Sequence, residues 1–108
     1  NRLGVALGPM CEEFFSQVHA DVAVLGGAGI TESGIWNHNA LIVAAQRKMI
    51  QASERCVFAL DKSKFGRKAL NLTTPFDESF TIITDNKPNV PVTKAISTAK
   101  AKLILAKK

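Results

Sequence analysis

Cysteine is scarce in this chain, with two in 108 residues, and the scarcity excludes two classes of protein. Cys11 and Cys56 sit far apart inside apolar segments. Two cysteines are too few for a disulfide framework or a zinc site, and both read as reduced core residues of a cytoplasmic protein. Long apolar runs are missing as well. None approaches the roughly 20 residues that a membrane-spanning helix needs, and no signal-peptide pattern opens the chain. A P-loop, a dinucleotide fingerprint, a helix-turn-helix and the aromatic spacing of an RNA-binding sheet are all lacking, so no cofactor is expected and nothing here reads nucleic acid. Acidic residues are absent from Ser33 through Ser53, a gap that bears on any proton-transfer chemistry there.

What is present is one domain's length with ordinary composition and a net charge of +5, enough for a modest core. The positive charge is unevenly placed. Lys94, Lys100, Lys102, Lys107 and Lys108 lie in the tail, where a solvated helix face and a chain end account for them. The basic residues between Lys62 and Lys68 are instead concentrated in a loop, a better site for an anion. The chain does not begin with Met and is expected to be a piece of a longer protein.

The segment from Asp21 to Lys64 organises the rest. Val22-Ala-Val-Leu-Gly26 is an apolar run without alternation, which predicts a strand covered on both faces. It breaks into the glycine loop Gly27-Ala28-Gly29, which is either a tight turn or a backbone cradle for an oxyanion. A polar connection, Thr31 to Asn39, leads to a packing helix from Ala40 to about Ser53. Asn37 or Asn39 can cap that helix. Trp36 is either a lid over a ligand or a cover for the core, and His38 is a candidate contact for a sugar hydroxyl or phosphate. Cys56-Val-Phe-Ala-Leu60 is the second strand, followed by Asp61-Lys-Ser-Lys64-Phe-Gly66. Asp61 is placed to accept from backbone N–H groups and fix this turn. That leaves Ser63 as a hydroxyl contact and Lys64 as a point charge. Strand, loop, helix, strand, loop is the grammar of a parallel α/β unit, and both polar loops leave the carboxyl ends of their strands, where such sheets bind ligands.

The flanks complete the pattern. Gly8-Pro9 opens a helix that buries Met10, Phe14, Phe15 and Val18 and ends near His19. Leu70 to Thr73 is a short strand, and Asp77 and Glu78 lie in the turn after it. Phe80 to Thr84 is a third strand of the unit, which puts Asp85 at the same carboxyl edge as the two loops. Val90 to Lys100, with Pro91 in its first turn, is the last helix, and Leu103 to Ala106 the last strand.

Ala20-Asp-Val-Ala-Val-Leu-Gly26, Gly29-Ile30, Gly34-Ile35, Arg47, Met49-Ile50, Asp61-Lys-Ser-Lys64-Phe-Gly66 and Ile83-Thr-Asp85 occur in an order that resembles the C-terminal sensor domain of DeoR-type transcriptional regulators of sugar metabolism. The resemblance covers nearly the whole chain. It implies a three-layer α/β/α sandwich with a mostly parallel sheet, similar to ribose-5-phosphate isomerase and glucosamine-6-phosphate deaminase. Only part of that domain is expected here, with a DNA-binding helix-turn-helix upstream. It further implies a phosphorylated sugar as effector, operator DNA as the partner of the upstream domain, a homo-oligomer and no membrane association. The effector-binding candidates are Gly27, Ala28, Gly29, Asn37, His38, Asn39, Asp61, Ser63, Lys64 and Asp85. Family members often carry a Glu on the helix that runs here from Ala40 to Ser53. This chain has Ile42, Ala44 and Gln46 instead, which favours a sensor, expected to be of repressor type, over a sugar-phosphate isomerase or deaminase.

Overall fold

The computed structural model describes residues 20–106, and the helix expected from Gly8 to His19 lies outside them. Four strands form a parallel sheet in the order β1 (Ala20–Leu25), β4 (Ser53–Leu60), β6 (Phe80–Thr84), β7 (Lys102–Leu105). Three short strands form a second, antiparallel sheet in the order β2 (Gly29–Thr31), β3 (Gly34–Asn37), β5 (Asn71–Thr74). Helix α1 (Ala40–Gln51) joins β3 to β4, and helix α2 (Val90–Thr98) joins β6 to β7.

The core follows from register. Ala23, Cys56 and Phe80 form one buried row across the parallel sheet, and Leu25, Phe58 and Ile82 form the next. The rings of Phe58 and Phe80 lie 5.0 Å apart in a tilted arrangement. Met49 of α1, Val92 and Ile96 of α2, and Ile30 and Ile35 of the small sheet close over this face. The opposite face differs from expectation. Val22 is 51% and Val24 43% exposed, so β1 is covered on one face only among the described residues.

The larger surprise is the polar connection from Thr31 to Asn39, which holds the β2–β3 hairpin rather than a loop. Thr31 and Gly34 pair around a two-residue turn, and Gly34 has φ +133°. A Cβ there would stand 2.1 Å from the Thr74 carbonyl oxygen, so both backbone angle and space require glycine. The Thr31 hydroxyl accepts from Ser33 N–H at 3.1 Å and from the Trp36 indole N–H at 2.9 Å. Trp36 is therefore half-buried sheet structure.

The helices end where their caps dictate. Asn39 accepts from Leu41 N–H at 2.7 Å and caps α1, and Asn89 accepts from Val92 N–H at 3.0 Å and caps α2. Beyond α2, Lys100 takes a left-handed conformation (φ 62°) while Ala101 N–H reaches back to Ile96 C=O and Lys100 N–H to Ser97 C=O. This is a Schellman ending with lysine where glycine is usual.

Candidate functional site

The Asp61 loop is built by its first residue. The Asp61 carboxylate accepts from Ser63 N–H at 2.9 Å and from the Ser63 hydroxyl, which caps a single 3₁₀ turn over Lys62–Lys64. Asp61 therefore organises the turn as its position implied. Lys64 N–H closes that turn on Asp61 C=O at 3.0 Å. Its side chain is half-buried, with no ion pair among the described residues. Asp85, one strand over, accepts from Lys62 N–H at 2.8 Å. It shares the carboxyl edge with Asp61 but braces the loop with at least one oxygen, as a scaffold contact not foreseen from sequence.

This loop is fastened to the glycine loop. Gly66 N–H donates to Ile30 C=O at 2.9 Å, and Ile30 and Phe65 form a parallel bridge. A Cβ on Gly29 would lie 2.0 Å from the Arg67 carbonyl oxygen, so the two backbones touch there. Gly27 packs against Leu60, the residue immediately before Asp61, since a Cβ on it would meet the Leu60 side chain at 3.4 Å. The two loops that the sequence placed at neighbouring strand ends are thus one joined surface.

Within the glycine loop the candidates separate. Ala28 N–H donates to Trp36 C=O at 2.8 Å, so this donor is engaged by the hairpin and cannot belong to a cradle. Gly29 is already in β2, and its smallness serves the contact with Arg67. Gly27 remains in the loop itself. Its preceding carbonyl, on Gly26, accepts from the Gln46 side-chain amide at 3.0 Å.

The asparagines also separate. Asn37 is buried and its amide donates to Gln46 Oε1 at 3.1 Å and to the Thr73 hydroxyl at 2.7 Å. Both donor hydrogens are used inside the fold, so the Asn37 amide nitrogen is committed to the core and does not donate to an effector. Asn39 is the helix cap. His38 is exposed between them. The residues missed from sequence are Gln46 and Thr73, both buried. Gln46 occupies the Val43–Gln46–Met49 stripe of α1 that faces inward. A polar residue on an apolar stripe at this spacing was the available signal. Arg47 likewise ties α1 to β5, donating to Thr73 C=O at 2.9 Å and Leu72 C=O at 2.7 Å.

Among the described residues two titrating groups are displaced, and neither belongs to this edge. Burial, with a smaller contribution from the Asp77 charge, pushes the Cys56 thiol up to about 11. Hydrogen bonds from the Ser79 hydroxyl and N–H hold Asp77 below the usual carboxylate range. Asp77 precedes β6, while Asp85 follows it, so a strand of about 17 Å separates them. Surface grooves of about 510 and 560 Å³ flank α2, and neither is lined by a residue of the two loops. Among the described residues no helix is long and apolar enough to cross a membrane, and no cluster of His, Cys, Asp and Glu could hold a metal ion.

The family model described as the DeoR C terminal sensor domain matches residues 1–86. The chain is 34% identical over 79 residues to the L-fucose operon activator of Haemophilus influenzae, covering 72% of this chain and 32% of that protein. It is 31% identical over 81 residues to the transcriptional repressor AccR of Agrobacterium fabrum, covering 73% and 31%. It is 34% identical over 77 residues to the HTH-type transcriptional repressor GlcR of Bacillus subtilis, covering 71% and 30%. The match spans about a third of the length of each of these relatives. No solved structure matches the chain at a significant level. The family model and these relatives agree with the sequence motifs, and the chain belongs to the DeoR C-terminal sensor domain family.

Proposed function

We propose that this domain senses a phosphorylated sugar and that its occupancy alters operator binding by a helix-turn-helix elsewhere in the same regulator. The reading rests above all on the joint between the Asp61–Gly66 loop and the glycine loop, made by the Gly66 N–H bond to Ile30 C=O. That joint brings the loop carrying Lys64 against the glycine loop at the carboxyl edge of a parallel sheet, an edge where a point charge and backbone N–H groups together suit an anion. The named relatives regulate transcription, which favours a cytoplasmic regulator, and symmetric operators favour a homo-oligomer. The half-exposed apolar side chains Val22, Val24 and Ile104 on the outer face of the parallel sheet suit a three-layer sandwich, whose further helical layer would cover them.

An isomerase or deaminase reading needs a carboxylate within reach of a carbon-bound proton. Helix α1 carries none, Asp85 braces Lys62 N–H, and Asp77 lies at the opposite end of β6. The sensor reading is therefore preferred. Its test is a thermal-shift and calorimetric screen of the full-length regulator against paired phosphorylated and free sugars. One sugar phosphate is expected to raise the melting temperature while its free sugar does not. Lys64→Ala is expected to abolish most of that affinity with an unchanged circular-dichroism spectrum. Turnover of a sugar phosphate in a coupled assay, or unchanged affinity in K64A, would sink this assignment.

A further inference from the structure

Among the described residues Gln46 is the one α1 side chain hydrogen-bonded to the glycine loop, and both polar atoms of its amide have a partner. Nε2 donates to Gly26 C=O at 3.0 Å while Oε1 accepts from Asn37 Nδ2 at 3.1 Å. Asn37 in turn donates to the Thr73 hydroxyl at 2.7 Å. Gln46, Asn37 and Thr73 are all buried, with 3%, 7% and 2% of their surface exposed, and no buried side-chain polar atom among the described residues is left without a partner. A satisfied network of this kind fixes the geometry of whatever it ends on. Here it starts on β5, crosses β3 and α1, and ends on the carbonyl of Gly26.

That carbonyl shares a peptide plane with Gly27 N–H. The peptide is trans, as are all those described, so its C=O and N–H point in opposite directions. Pulling the Gly26 carbonyl toward α1 therefore turns Gly27 N–H away from α1. Unlike Ala28 N–H, it makes no hydrogen bond among the described residues. Glycine at both positions leaves this peptide free to rotate unless something holds it, and Gln46 holds it. Gly27 also packs on Leu60, at the root of the Lys64 loop.

We infer that Gln46 is a positioning residue, which through its bond to Gly26 C=O presents Gly27 N–H as the backbone donor to the anionic group of the effector. The inference rests on the anion-site reading above and adds to it the residue that sets the donor's direction. Gln46 touches no ligand; an amide nitrogen on this helix is needed because a glutamate or an aliphatic side chain cannot donate to a carbonyl.

The test uses the full-length regulator with ¹⁵N-glycine labelling and inorganic phosphate as the probe. The Gly27 amide resonance, assigned by its loss in Gly27→Ala, is expected to shift on titration of the wild type. Gln46→Glu keeps the acceptor for Asn37 and loses the donor to Gly26. Thr73→Val removes the far end of the network and keeps the Gln46–Gly26 bond. Gln46→Glu is expected to weaken phosphate at least about tenfold and to displace the Gly27 resonance before phosphate is added. Thr73→Val is expected to leave phosphate affinity within about twofold despite its lower melting temperature. Equal losses in the two variants, or a wild-type Gly27 resonance that ignores phosphate, overturn the inference while Lys64-dependent binding stands. Failure of the wild type to bind inorganic phosphate or any sugar phosphate overturns the site reading and this inference together.

Discussion

Alanine at position 29 would set a methyl group 2.0 Å from the Arg67 carbonyl oxygen and 2.7 Å from its carbonyl carbon. A carbon–oxygen contact relaxes to roughly 3.3 Å or more, so one loop must retreat by over 1 Å. Backbone sits on both sides, and no rotamer change can absorb the clash. The nearest casualty is the Gly66 N–H bond to Ile30 C=O, now 2.9 Å long, which that retreat stretches beyond hydrogen-bonding range. Ile30 is fully buried, so its carbonyl would lose a partner without gaining water. The stranded acceptor costs about 1–3 kcal/mol and the overpacking about 1–3 kcal/mol more. That is a large share of the roughly 5–15 kcal/mol that holds a domain together. Gly26 is the control, because a Cβ on it meets nothing within 4 Å and its φ is not positive. Gly26→Ala is expected to be neutral or to stabilise by ~0.4–1 kcal/mol through the unfolded chain. Urea denaturation of the two variants measures both, with calorimetry on a sugar phosphate reporting whether the joined loops still bind. Stabilities for G29A and G26A within ~0.5 kcal/mol of one another would refute the close approach of the two loops.

Two further outcomes concern the scaffold. Lys100→Gly is expected to stabilise by about 0.5–1 kcal/mol, since it removes the left-handed strain at φ 62° against the greater freedom of glycine when unfolded; a melting temperature unchanged or lowered would argue against the Schellman ending. Cys56 has its folded value raised from 9.0 to about 11, so its contribution to stability is complete below pH 9 and lost as pH rises through about 11. Wild type is expected to lose stability relative to Cys56→Ala across that window, and its Cys56 peptide to react with thiol reagents only after unfolding; parallel pH profiles would refute this.

The parallel unit was legible because its signals are local and strong. Phe80–Thr84 and the Asn39-capped helix fall where their patterns put them, and Asp61 fixes its turn through its own side chain. Of the second sheet, the strand expected over Leu70–Thr73 is found at Asn71–Thr74, but the β2–β3 hairpin was not legible. Its strands run three and four residues, with Gly29 and Gly34 at their starts, too brief for period-two alternation to stand out from a polar loop. Ala28 and Asn37 show a different obstacle. The loop around them looks open in sequence, yet hairpin pairing takes the Ala28 N–H and a core network takes the Asn37 amide. Composition cannot reveal such commitments, because Trp36 arrives through a hairpin too short to read and Thr73 through tertiary structure.

The pairing pattern also dictates an order of assembly. In the parallel sheet Ala20 pairs with Ser53, Cys56 with Phe80 and Thr81 with Lys102, so every ladder must close a long loop of chain before it gains a hydrogen bond. The β2–β3 hairpin, whose ends Gly29 and Trp36 are close in sequence, carries no such burden and can form in microseconds. The parallel ladders are then the slow step. The two functional loops hang from the carboxyl ends of β1 and β4, and they face each other only after that ladder has closed. On the sensing function proposed above, the anion site is completed only at the end of folding, and a partly folded chain is expected to bind no sugar phosphate.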